Sequence, residues 1–362
     1  MLVENAMLPF LYARWVDEFL GAQPPDEANA TCANCAMCAP DAPAHERSLY
    51  FRPDVKCCSY VPDLPNFLAG AILEDETPEM AEGRQTLCAR LATKDDGITP
   101  LGVHDSAAGR FQYDQLTRRA GFGRESGLLC PHFRANEGGR CTIWKYRNGV
   151  CATWFCKHVR GQVGEQFWQR LNQLFAEVER ELALWCLAEL FIPAQSALAL
   201  VSSGKRRATR SNPANTERAS GTSAYDRLWG EWAGREQELY RRCATFVGSL
   251  SWREVTATCG PSVRLIERAV RECHGRLTSH AMSDRLRLAP FQILGFQGAH
   301  VRVVGYSMND PVQIPQALLD VLRYFDGRSS SDALAVIERE CHVRVHEGLV
   351  RRLVDFGLLV EA

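Results

Sequence analysis

Cysteine is the residue type in this chain whose spacing could do chemistry. Nine of the fifteen cysteines fall in three groups between positions 32 and 156, where Cys88 is the only other one: Cys32, Cys35 and Cys38 in TCANCAMC, the adjacent Cys57 and Cys58 in VKCCSY, and Cys130, Cys141, Cys151 and Cys156 in CPHFRANEGGRCTIWKYRNGVCATWFC. Cysteines that serve only to pack a core do not cluster in this way. Thiolates are soft donors that suit iron–sulfur clusters and zinc equally well. The two-residue spacers of the first group let a turn bring three thiolates to one ion or cluster face, one short of a tetrahedral set, so a further ligand must come from elsewhere. Adjacent cysteines rarely point the same way. One of Cys57 and Cys58 therefore joins a given mononuclear site while the other bridges, packs or serves a second site. Nine thiols are five too many for one tetrahedral site and one too many for two. His132 and His158, each two residues from a candidate cysteine, are alternative ligands, and Lys157, His158 and Arg160 would set positive charge beside a thiolate cluster.

The elements that must position these thiols follow from periodicity and turn residues. A helix is expected over residues 1–20, and Gly/Pro-bearing GAQPPDEAN then leads to the first cysteine group. Residues 65–90 read as one helix and 94–129, with seven glycines and prolines, as a loop-rich connection. Pro131 directly follows Cys130, as a proline commonly follows the remote ligand of a four-iron cluster. Gly138-Gly139 permits a tight turn that delivers Cys141, Thr142 to Tyr146 reads as a short strand, and Asn148-Gly149 as a turn before Cys151. Residues 163–190 carry apolar side chains at helical spacing, and further helices are expected over 223–248 and 261–277. Cys88, Cys186, Cys243, Cys259 and Cys273 sit in or beside such helices and are assigned no metal role. Over the last eighty residues, short strands broken at Gly298 and at Asn309-Asp310-Pro311 precede helices at 315–325, 331–341 and 346–356. Asp326-Gly327 is expected to close the first of these, Ser330 or Ser331 to cap the second and Gly357 to end the third.

The order of a C-x2-C-x2-C triplet, a vicinal pair, Cys-Pro, a Gly-rich turn, Cys-x-Ile-aromatic, Arg and a last pair of cysteines is similar to the bacterial cysteine-cluster family known as YkgJ-type. That family is described as zinc- or iron-chelating. The similarity covers about residues 32–160, and CTIWKYRNGVC is its most specific part. Asn148 stands where the family has proline, and the vicinal pair lies nineteen residues beyond Cys38 instead of closing the triplet. The stretch from Ile314 to the C-terminus resembles a PqqD-type or related winged-helix domain, which implies binding of a leader peptide or a partner protein.

The expected fold class is α+β, mainly helical: a loop-rich cysteine-cluster metal domain over 1–160, a helical region over 161–280 with a polar loop at 202–222, and a winged-helix-like partner-binding domain over 285–362. The expected function is that of a metal-binding cysteine-cluster protein carrying an iron–sulfur cluster of the four-iron type, for electron transfer or for modification of a bound peptide or protein. The alternative is a structural zinc adaptor without catalysis, and a weaker third reading is a thiol redox protein cycling at Cys57-Cys58 or at Cys151 and Cys156. A formal net charge of −1 gives no overall bias toward nucleic acid or anionic membrane, and no nucleic-acid partner is expected. Residues 182–201 are apolar, but Glu189, Pro193 and Gln195 in their middle argue for broken helices over a membrane span. The N-terminal apolar stretch lacks a basic n-region, and a reducing, cytoplasmic compartment is expected. No Ser/His/Asp arrangement, phosphate-binding glycine loop or dinucleotide fingerprint points to another enzyme class.

Overall fold

The computed structural model describes residues 8–27, 32, 35–39, 49–119, 121–136, 138–192, 224–279 and 281–362. The chain is mainly helical with small antiparallel sheets, an α+β protein. It divides into two compact units, the first of residues 1–25, 30–154 and 171–267, the second of 26–29, 155–170 and 268–362. Residues 171–267 of the expected helical middle region thus belong to the first unit, whereas 155–170 and 268–280 belong to the second.

In the first unit, α1 (Phe10–Leu20) buries Tyr12, Trp15, Val16 and Phe19, a spacing that lines one helical face. It ends at Gly21, whose left-handed φ of 71° lets its N–H return to Asp17 O. Strand β1 (Leu64–Pro65) leads into α2 (Asn66–Glu74), followed by α3 (Ala81–Ala92). The single helix expected over 65–90 is broken between them because Thr77 precedes Pro78, and the proline ring excludes the helical region for the residue before it. Strands β2 (Ile98–Thr99) and β3 (Gly102–Val103) complete a sheet of order β1-β3-β2.

The segment 94–129 is not loop throughout. It holds α4 (Ala107–Arg118), started by Ser106, whose hydroxyl accepts from Gly109 N. None of its residues is buried, so it carries no apolar stripe by which periodicity would reveal it. Strands β4 (Phe133–Arg134) and β5 (Arg140–Cys141) form a hairpin, and residues 144–146 make a 3-10 turn where a strand was expected. The short helix α5 (Gly149–Thr153) follows.

Helix α6 (Gly161–Glu189) buries Leu171, Leu174, Phe175, Val178 and Leu182 in the first unit. Among the described residues the remaining helices of this unit are α7 (Ala224–Trp229), α8 (Glu236–Gly248), α9 (Trp252–Cys259), which sequence reading missed, and the first turns of α10 (Pro261–Thr278). Helix α9 carries a capping box between Ser251 and Glu254. Helices α2 and α8 pack so closely that a Cβ at Gly70 would stand 1.8 Å from Tyr240 O, and only glycine admits that approach.

The second unit carries β6 (Arg285–Leu288), β7 (Gln292–Gln297), β8 (His300–Val304) and β9 (Val312–Pro315), then α11 (Gln316–Leu322), β10 (Asp326–Ser329), α12 (Ser330–Cys341), α13 (Glu347–Asp355) and β11 (Leu359–Glu361). Its sheets have the orders β7-β8-β9 and β10-β6-β11, all pairs antiparallel. Val301, Val303, Ile314, Leu322, Phe325, Ile337, Leu353 and Leu358 form its core. Asp326-Gly327 opens a strand instead of only closing α11. Ser329, one residue earlier than expected, caps α12 by accepting from Asp332 N.

The polar loop expected at 202–222, and residues 193–201 of the apolar stretch, lie outside the described residues. Among the described residues no helix is long and apolar enough to cross a membrane.

Candidate metal centre

Three loops and one short helix of the first unit present the expected thiols. In the first loop Cys38 N donates to Cys35 O at 2.9 Å, and Met37, buried between these cysteines, accepts from Phe51 N at 2.8 Å. The second is a 3-10 turn, Lys56–Ser59, bearing Cys57 and Cys58. Lys56 enters it with a left-handed φ of 52°. Its side chain is buried, and Nζ donates to Cys32 O, to Gly138 O and, at 3.1 Å, to Gly139 O. One ammonium group therefore ties the triplet loop and the vicinal pair to the glycine turn.

The third loop is the β4–β5 hairpin. Phe133 faces Cys141 across it, Gly138 and Gly139 both take positive φ, and Gly139 N closes the turn on Asn136 O. The glycine pair thus delivers Cys141 as its sequence predicts. Cys130 N donates to Cys58 O at 2.7 Å, which joins the hairpin to the vicinal pair. Asn148-Gly149 is not a hairpin turn: Asn148 caps α5, its Oδ1 accepting from Cys151 N at 3.0 Å while its Nδ2 donates to Asp63 O. Cys151 consequently projects from a helix. Gly149 lies so close to α6 that a Cβ there would stand 2.6 Å from Phe175 Cβ.

This architecture brings eight of the nine expected ligands into one electrostatic neighbourhood. Cys57 lies within reach of Cys32, Cys35, Cys38, Cys58, Cys130, Cys141 and Cys151. It is also the one member of the eight whose residue surface is exposed. Hydrogen bonds link the side chains of Cys35 with Cys38 and of Cys57 with Cys58. Each bond lowers the first thiol of its pair and raises the second. Burial, followed by neighbouring thiols, raises Cys32 to about 11 and Cys130 and Cys141 to about 12, and pushes Cys151 well above the usual thiol value. All are free thiols. The ninth candidate, Cys156, belongs to the second unit and is half-buried.

Two buried cations sit among the thiols, and neither was singled out from the sequence. Lys56 is one. Arg147 is the other, with its guanidinium 3.2 Å from the centroid of the Trp144 ring and Nε donating to Trp144 O; burial lowers its pKa while Cys141, Cys151, Cys32 and Cys57 oppose that shift. The adjacency of Lys56 to Cys57-Cys58 was the available signal. The basic residues singled out instead serve the second unit: Arg160 pairs with Asp355 at 2.7 Å, and His158 N donates to Asp310 Oδ2. His132 is buried with Nδ1 against Thr86 Oγ1 at 2.8 Å, and burial lowers it to about 4, so its ring is neutral.

Soft donors in number, free of disulfides and flanked by compensating buried charge, fit a thiolate-bound metal. Among the described residues no three His, Cys, Asp or Glu side chains are gathered tightly enough to hold an ion. Thiols raised by burial are protonated at neutral pH, so metal entry must displace protons. No family model matches the chain, and no curated protein or solved structure matches it.

Proposed function

We propose that the first unit is a thiolate metal centre built by Cys32, Cys35, Cys38, Cys57, Cys58, Cys130, Cys141 and Cys151, in keeping with the YkgJ-type resemblance. The observation that carries this reading is that eight free thiols, from loops more than a hundred residues apart in sequence, interact electrostatically through Cys57, six of them also with the buried Lys56 or Arg147. Eight is the ligand count of two four-thiolate sets, which suits two four-iron clusters or two zinc ions. An iron–sulfur centre is preferred, because the buried cations would raise the reduction potential of a negatively charged cluster into a useful range. Such a centre supplies one-electron chemistry when bound. The chain's own contribution is to hold the thiols and to set the buried Lys56 and Arg147 among them.

In the second unit the succession α11–β10–α12–α13–β11, with a sheet of order β10-β6-β11, supports a winged-helix-like module of the PqqD type. Its role in this reading is to hold the peptide or protein partner that receives electrons or is modified. Structural zinc is the competing reading, favoured by the same count of eight.

Anaerobic purification followed by metal and sulfide analysis with a visible spectrum tests both. Brown protein with roughly eight iron and eight acid-labile sulfide supports clusters. Colourless protein with about two zinc supports the structural alternative. Protein that binds neither metal overturns the centre.

A further inference from the structure

Strand β7 of the second unit is an open sheet edge, paired on one side only, to β8. Its sequence, QILGFQ, holds no charge and no proline, and five of its six residues are exposed. Edge strands of soluble proteins ordinarily carry lysine, proline or an inward charge, because their unpaired N–H and C=O groups recruit other strands. Of the usual guards β7 has only a bulge, between Ile293 and Gly295. Ile293 lies opposite Val303, and Phe296 opposite Val301. The two valines are two residues apart, so they share the core face of the sheet, and both are wholly buried. Residues three apart on a regular strand face opposite ways. The extra residue of the bulge brings Ile293 and Phe296 to the one face, yet they remain 49% and 59% exposed, an apolar strip that overhangs the core.

We propose that β7 docks a second copy of this chain, the two β7 strands pairing antiparallel about a two-fold axis normal to the sheet. What singles out a second copy is that the strand is complementary to itself. With the axis between Leu294 and Gly295, Gln292 stands opposite Gln297 of the second copy, Ile293 opposite Phe296, and Leu294 opposite Gly295, each pair occurring twice. Gly295 has open space where a Cβ would be, so a facing leucine meets no obstruction there. Opposed residues must lie on the same face, and this register therefore needs Ile293 and Phe296 to share one. A regular strand would forbid that, and the bulge supplies it. Charge also permits the pairing. Arg302 of β8 lies opposite Gly295, and in the dimer the two β8 strands stand three strand spacings apart, about 14 Å. That exceeds the screening length of about 8 Å at physiological salt. The product is a continuous six-stranded sheet in which Ile293 and Phe296 of both copies cover one another. It needs neither a metal nor the thiols of the first unit.

Sedimentation equilibrium of the full, reduced chain tests this. Between about 1 and 100 µM the unaltered protein should move from one chain mass to two. Two double variants then read the register. Ile293→Lys with Phe296→Lys sets like charges opposite one another across the axis, whereas Ile293→Lys with Phe296→Glu removes the same apolar side chains but sets opposite charges there. The first should stay monomeric, and the second should dimerise about tenfold more tightly than the first. Both positions are exposed, so each variant should keep the circular dichroism spectrum of the unaltered chain. If a charged variant loses that spectrum, Phe296→Ser alone serves, and it should weaken the dimer about tenfold. An unaltered chain that is monomeric throughout overturns the proposal, and so does a dimer whose affinity none of the variants changes. Equal affinities for the two double variants overturn the two-fold register.

Discussion

Replacing Lys56 by methionine removes the one group that joins three thiol-bearing loops. Nζ donates to three carbonyl oxygens, those of Cys32, Gly138 and Gly139, inside a buried setting. An unpaired carbonyl costs about 1 kcal/mol at the low end of the range, appropriate here because the Cys32 loop is half-buried, so the loss is about 3 kcal/mol. Lys56 also occupies a left-handed φ of 52°, which costs a non-glycine residue about 1 kcal/mol. Lys56→Gly relieves that strain and should therefore be milder than Lys56→Met by about 1 kcal/mol, giving a net loss of about 2 kcal/mol. Urea unfolding followed by tryptophan fluorescence should show both midpoints falling, methionine more than glycine, with more thiols reacting quickly with a disulfide reagent under native conditions. If Lys56→Met unfolds at the unaltered midpoint with the same number of fast thiols, the lysine does not hold the loops and the reasoning fails. If the glycine variant is the weaker of the two, the backbone strain has been overvalued.

Cys141→Ser should release bound metal and loosen the first unit, whereas Cys243→Ser, buried on α8 with its carbonyl against Cys186, should retain it; metal analysis of both variants decides this. Gly70→Ala should destabilise the α2–α8 contact by at least about 2 kcal/mol, because its Cβ would overlap Tyr240 O, while Gly127→Ala meets nothing within 4 Å and should melt unchanged in calorimetry. The raised carboxyl of Glu179, about 7 against an ordinary 4.5, makes the folded state hold a proton that the unfolded chain has lost. Stability of the metal-free chain should then fall as pH rises from about 4.5 to 7, by about 3 kcal/mol in total, and denaturation at pH 5 and pH 8 should show this fall in the unaltered protein but not in Glu179→Gln.

The residue types and their order determined that nine cysteines fall in close groups, where α6 and the C-terminal strands and helices lie, and that Gly138-Gly139 would fold the chain back to present Cys141. These features are local. Helical periodicity, glycine at positive φ and proline before a turn act through neighbours in sequence, so they can be read without knowing the fold. Helix α4 was hidden because it buries no face, and α5 because its Asn-Gly start serves equally as a hairpin turn or a helix cap.

Only the tertiary structure decided that eight thiols share one neighbourhood while Cys156 belongs to another unit. It also decided that Lys56 and Arg147, and not Lys157, His158 and Arg160, carry the positive charge among those thiols, and that Glu179 on a distant helix grips the Cys151 arm. Spacing along a chain fixes which side chains can reach a common point, but their direction depends on how separate loops are packed. That packing is set by contacts such as Gly70 against Tyr240 and Gly149 against Phe175, which lie far apart in sequence.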